Sequence, residues 1–207
     1  MRSPVRAVLF DADGVVQSSS LGWREDLAAM AATDPDGFVA ALHAAEVGPI
    51  RGDGSFHDTA TAVLERFGVT RPVDDVLAVW QRLDADAGVL DGIAALRADG
   101  VVCALATNQH DVRTRFMREA MGYDTVFDAQ FYSSEVGHAK PSAAFFTYIV
   151  TTLGLDAAQV LFLDDRADNV EGARSAGLQA EVFAEHGGRA ELDRVLALHD
   201  WAPGRRG

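Results

Sequence analysis

The chain is short of several things. It has one cysteine in 207 residues, Cys103, so no intrachain disulfide can form and a cysteine-based zinc site is excluded. It is short of positive charge: 18 Lys and Arg against 31 Asp and Glu leave a net charge of -13, which argues against attraction to nucleic acid or an anionic membrane surface. The apolar runs are too short and too interrupted to span a bilayer. Met1-Arg2-Ser3-Pro4 leads directly into a strand-like segment without a secretory leader, so a cytoplasmic setting is expected. What remains is an ordinary globular composition, 48% hydrophobic and 24% charged, in a chain long enough to bury a substantial core.

Three continuous apolar runs end abruptly in polar residues: Val5 to Phe10 before Asp11, Val101 to Ala106 before Thr107-Asn108, and Val160 to Leu163 before Asp164-Asp165. Continuous hydrophobicity marks strands of a parallel sheet covered on both faces, and Cys103, inside the second run, reads as a packed core residue. Helical stretches are expected over Leu90–Asp99, Asp111–Met121, Ser142–Leu153 and Asp168–Ala176, each closed by a glycine, with a last strand and helix within Glu181–Leu198. The alternation predicts an α/β fold, a doubly wound Rossmann-like parallel sheet whose ligands bind at the carboxyl ends of the strands.

Residues 18 to 87 break that alternation. They read as helices at Trp23–Ala32, Pro35–Ala45, Ser55–Phe67 and Val73–Ala85, an all-helical insertion placed after the first strand like a lid. The expected organisation is therefore a core of residues 1–17 and 88–207 with a small helical cap of residues 18–87. Trp201 to Gly207 reads as a frayed end.

The strand ends bring Asp11, Asp13, Thr107, Asn108, Asp164 and Asp165, together with Lys140, towards one crevice. Asp11 and Asp13 raise an electrostatic question, because two carboxylates one residue apart repel unless positive charge compensates them. A metal ion is one answer. Magnesium favours hard oxygen ligands, and a few carboxylates plus a substrate phosphate make a suitable shell.

These residues resemble the four motifs of the haloacid dehalogenase superfamily, in order along almost the whole chain: Phe10-Asp11-Ala12-Asp13-Gly14-Val15-Val16, Ala106-Thr107-Asn108, Lys140-Pro141, and Phe162-Leu163-Asp164-Asp165 continuing to Ala173. The last is most similar to the phosphatase branch that includes glucose-1-phosphate phosphatases and the amino-terminal phosphatase domain of soluble epoxide hydrolase. The resemblance implies a magnesium-dependent phosphatase acting on a small phosphorylated metabolite, such as a sugar phosphate, through an aspartyl phosphate. Asp11 would be the nucleophile, Asp13 the general acid and base, and Thr107, the Asn108 backbone and Lys140 the phosphate holders. Asp11, the Asp13 carbonyl and Asp165 would bind Mg2+, with Asp164 orienting Lys140. Asn169 stands where many relatives carry a carboxylate, and either orders the motif loop or, with Asp168, caps a helix. Trp23 and Arg24, where the family's cap begins, are candidate specificity residues, although Trp23 and Trp80 also suit cap packing. His110 and His138 flank the second and third motifs and read as solvated. The same fold also serves dehalogenases and phosphomutases, and a non-catalytic binding protein is a further alternative. The expected state is monomer or dimer.

Overall fold

In the computed structural model, which describes residues 3–201, the chain runs β1 (Ala7–Phe10), β2 (Gln17–Ser19), α1 (Trp23–Ala28), α2 (Pro35–Ala45), α3 (Phe56–Phe67), α4 (Val73–Trp80), β3 (Leu83–Ala85), α5 (Ala87–Ala98), β4 (Val102–Thr107) and α6 (Asp111–Glu119). It continues through α7 (Tyr123–Val126), β5 (Ala129–Tyr132), α8 (Ser133–Val136), α9 (Ala143–Leu153), β6 (Val160–Asp164), α10 (Ala167–Ser175), β7 (Gln179–Val182) and α11 (Gly188–Ala197). Five strands form a parallel sheet in the order β5-β4-β1-β6-β7, with β1 at its centre. The expected frayed end falls outside the described residues beyond Trp201.

Alternation along the central strands sorts two cores. Val8, Phe10, Cys103, Leu105, Leu161 and Leu163 point to one face, against Val89, Ile93 and Leu96 of α5 and Leu192, Val195 and Leu196 of α11. Ala7, Leu9, Ala104, Ala106, Val160 and Phe162 point to the other, against α9 and α10 through Phe145, Phe146, Ile149, Val170 and Ala173. Cys103 is fully buried, and burial pushes its thiol up to about 12.

The helical segment has its own apolar cluster, built from Leu27, Phe38, Leu42, Phe56, Leu64, Val76 and Trp80 and joined by Val112 of α6. Its last helix is shorter than the sequence suggests. It stops at Trp80, and Leu83–Ala85 instead pairs antiparallel with Gln17–Ser19, so the two chain crossings form a ribbon. Ser55 and Phe56 tie the segment to the sheet side: the Ser55 hydroxyl and the Phe56 N–H both donate to Asp111 at 2.8 Å. In the five-stranded sheet, the edge strand β5 is the strand that the hydrophobic pattern misses, because Ala129-Gln130-Phe131-Tyr132 is short and carries a polar residue.

Close packing of α10 depends on Gly172. A Cβ there would collide with the backbone of Pro141, next to Lys140. Gly172→Ala should therefore displace either the helix or the Lys140 loop. We expect a loss of about 1–3 kcal/mol in urea denaturation, whereas Ala at an open helical site would be neutral or stabilising.

Candidate active site

The centre of the sheet sets the site. β4 and β6 flank β1 with Phe10 level with Leu105 and Leu163, so the chain delivers Asp11 and Asp164 side by side at the carboxyl edge, with Thr107 one residue further along β4. Lys140 reaches the same place from the loop before α9. Its Nζ lies 2.7 Å from Asp11 Oδ1 and 2.7 Å from Asp164 Oδ2, and all three residues are buried.

Burial would lower the Lys140 ammonium, but Asp11 and Asp164 more than offset it and hold the group above its ordinary value. Burial pushes the Asp11 carboxyl up, against the pull of Lys140 and with the repulsion of Asp164. Asp165, less enclosed, is also raised, by desolvation and by Asp164.

Each member is held by neighbours from another motif. Asn108 clamps the Lys140 backbone, accepting from its N–H at 2.9 Å and donating to its carbonyl at 3.0 Å. Asp164 accepts from the Asn169 amide at 3.0 Å on both oxygens and from the Arg166 N–H at 2.9 Å. Asn169 is therefore no cap: it lies inside α10, whose N-cap is Arg166, and orients Asp164. Asp168 is likewise inside the helix, in a forked pair with Arg166. Gly14, at φ 80°, leaves room for Asp165, since a Cβ there would lie 2.8 Å from its carboxyl carbon.

Carboxylate oxygens of Asp11, Asp164 and Asp165 lie within 4.8 Å of one another, the one such acidic group among the described residues. Lys140 supplies one positive charge to three carboxylates, and hard oxygens with excess negative charge fit a magnesium ion. The cavity above has a volume of about 340 Å³, lined among others by Asp11, Asp13, Thr107, Asn108, Lys140 and Asp165. Three grooves elsewhere are larger, at 470 to 500 Å³, but none gathers these groups.

A family model for haloacid dehalogenase-like hydrolases matches residues 5–177. The chain belongs to that family. It is similar to a drimenol cyclase of Aspergillus calidoustus, 37% identical over 83 residues that cover 40% of this chain and 15% of that protein. The chain thus spans a small part of that relative's length. It is also similar to a phosphoglycolate phosphatase of Rhodospirillum rubrum, 28% identical over 222 aligned positions, 95% of this chain and 90% of that one. Among solved structures, a haloacid dehalogenase family enzyme from Bacteroides thetaiotaomicron, in complex with magnesium and inorganic phosphate, superposes with a TM-score of 0.80 at 19% identity, covering 91% of this chain and 98% of that one. No helix among the described residues is long and apolar enough to cross a membrane.

Within this haloacid dehalogenase-like site, Trp23 and Arg24 do not line the cavity; Trp23 packs edge-on against His43, ring centroids 5.5 Å apart, and Arg24 is exposed. Sequence reasoning missed Gln17, Gln109 and Arg113, which surround Asp13. Arg113 is buried on α6, and the polar sequence around it carries no local signal of that.

His138 is exposed, as expected, but His110 is not: it is 1% exposed and stacks on Phe56 with ring centroids 4.1 Å apart. Its Nδ1 accepts from the Arg113 N–H, which puts the ring proton on Nε2, where it has no hydrogen-bond partner and sits 3.8 Å from Glu46. Burial first, then Arg113, brings His110 down to about 3, against the opposing pull of Asp111 and Asp13. The folded state then refuses a proton that the unfolded chain accepts below its ordinary value of 6.5, so stability falls as pH drops from 6.5 towards 3. His110→Asn, which keeps an N-cap acceptor, should flatten urea-denaturation stability across that window by up to about 1.4 kcal/mol per pH unit.

Proposed function

We propose that the protein is a magnesium-dependent phosphatase that hydrolyses a small phosphate monoester through an aspartyl-phosphate intermediate. The observation that carries this reading is the Asp11–Lys140–Asp164 row, opening on a small polar cavity with Asp13 and Asp165 at its wall. Bonds from Lys140 Nζ and the Ala12 N–H to Oδ1 fix the rotation of the Asp11 carboxylate and present Oδ2 for attack on phosphorus.

As the new O–P bond forms, the ester P–O bond breaks, and its electron pair leaves with the alcohol oxygen, which takes a proton from Asp13. Water then gives a proton back to Asp13 and attacks phosphorus. The Asp11 carboxylate is restored and phosphate departs. Thr107, the Asn108 backbone and Lys140 hold the phosphoryl oxygens in both halves. Asp11, the Asp13 carbonyl and Asp165 would hold Mg2+, which would supply positive charge to the phosphoryl group. Asp164 is engaged by Lys140 and Asn169, which supports an orienting role.

A cavity of about 340 Å³ is at the lower end of ligand-site volumes, which supports a small metabolite such as a sugar phosphate, and the phosphoglycolate phosphatase relative supports the same class. In this reading residues 18–87 act as a cap hinged at the β2–β3 ribbon over a core of residues 1–17 and 88–207. One buried free thiol suits the reducing cytoplasm.

Phosphate release from sugar phosphates, 2-phosphoglycolate and p-nitrophenyl phosphate tests the reading. Release should need magnesium, stop with chelator, and fall by about 10³-fold or more in Asp11→Asn. A folded Asp11→Asn protein as active as the parent, or no release from any ester, would overturn it.

A further inference from the structure

The carboxyl of Asp13 lies in a ring of donors drawn from three places in the chain. Oδ1 accepts from Arg113 Nη2 at 2.6 Å and from Gln17 Nε2 at 3.0 Å, and Oδ2 accepts from Gln109 Nε2 at 2.9 Å. Gln17 and Gln109 are fixed from behind. Tyr123 donates its hydroxyl to Gln17 Oε1 at 2.8 Å, which orients the Gln17 amide with its nitrogen towards Asp13. The same Gln109 nitrogen donates to Thr107 Oγ1 at 3.2 Å, and the Gln109 N–H donates to Ser133 Oγ at 3.0 Å. Arg113 leaves α6 from an inward position, 9% exposed, with its N–H on His110.

A carboxylate offers about four lone-pair positions, two on each oxygen. Here both positions on Oδ1 and one on Oδ2 are occupied. Asp13 itself lines the cavity with its side chain 41% exposed, so the remaining position on Oδ2 is the one open to exchange.

We propose that Arg113 is the positioning residue of the acid–base step, with Gln17 and Gln109 as its partners. By saturating Oδ1 they confine the transferable proton to Oδ2 of Asp13 and aim it into the cavity. The proposal rests on the phosphatase reading. When the ester bond breaks, the Oδ2–H bond breaks with it. The proton goes to the leaving ester oxygen, that oxygen keeps the electron pair of the broken P–O bond, and Asp11 supplies the pair for the new one. Arg113 itself stays charged and touches neither phosphorus nor the leaving group.

Leaving groups separate this role from a structural one. An alkyl alcohol cannot depart from phosphorus without a proton, whereas p-nitrophenolate can, and kcat/KM reports the step in which the leaving group departs. The test compares kcat/KM for p-nitrophenyl phosphate and for the best alkyl phosphate of the panel in the parent, Arg113→Met, Arg113→Lys and Asp13→Asn, all with magnesium. We expect Arg113→Met to lose about 100-fold on the alkyl ester and less than about 3-fold on the aryl ester, matching Asp13→Asn in pattern. Arg113→Lys should recover part of the alkyl activity, and it serves alone should the Met variant fail to fold by circular dichroism.

Equal losses on both esters, or no loss on either, would overturn the positioning role while leaving the phosphatase reading intact. A parent that releases phosphate from neither ester would overturn both.

Discussion

One ammonium group organises this protein. Lys140 lies between Asp11 and Asp164, 2.7 Å from each and with almost no access to water. A buried ion pair is a poor source of net stability, yet removing one partner leaves an uncompensated buried charge and costs several kcal/mol. The row is therefore less a staple than a condition: the two strands that carry the aspartates must lie side by side, and the loop that carries the lysine must cross over them. The parallel β1–β6 pairing meets the first requirement.

The second requirement explains features that otherwise look unrelated. A loop residue has no ladder to fix its height, so Asn108 supplies one by bonding both the N–H and the carbonyl of Lys140. The absence of a side chain at Gly172 lets α10 come up against Pro141, and the same helix brings Asn169 to Asp164. Second, third and fourth motifs are thus mechanically one object. An error in any of them reaches Asp11 through Lys140 as a misplaced charge, the kind of small displacement to which positioned chemistry is sensitive.

Residues at strand ends were the legible part. A continuous apolar run followed by Asp or Thr-Asn locates a residue at the carboxyl edge of a parallel sheet, and Asp11, Thr107 and Asp164 lie there. Pro35–Ala45 is as long as its pattern indicates, and Ser142 caps α9 where a helix start reads. The ring around Asp13 was illegible because Arg113 belongs to a helix of nine residues so polar that a charged side chain reads as solvated. Gln17 and Gln109 carry no charge to draw attention, and nothing local says that residues 17, 109 and 113 meet. His110 fails for the same reason in reverse: flanking Gln109 and Asp111 suggest a wet loop, and only the docking of Phe56 from the helical segment dries it.

That ring also resolves how two carboxylates one residue apart coexist. Asp11 follows the last residue of β1, Asp13 lies two residues on, and both line the cavity. Beyond Asp11 the chain turns sharply about the Ala12 carbonyl, which accepts from the N–H groups of Val15, Val16 and Gln17. The turn separates the pair into two environments, each with its own cation: Lys140 in the dry interior for Asp11, Arg113 at the wetter wall for Asp13. With Asp164, Asp165 and the Arg166–Asp168 pair on the cavity wall included, three cations face five carboxylates, so negative charge remains in excess beside the cavity. That excess is repulsive towards a phosphate dianion unless a divalent cation comes with it. The same acidity that would repel a phosphate ester is therefore what gives the site the character to attract a divalent cation.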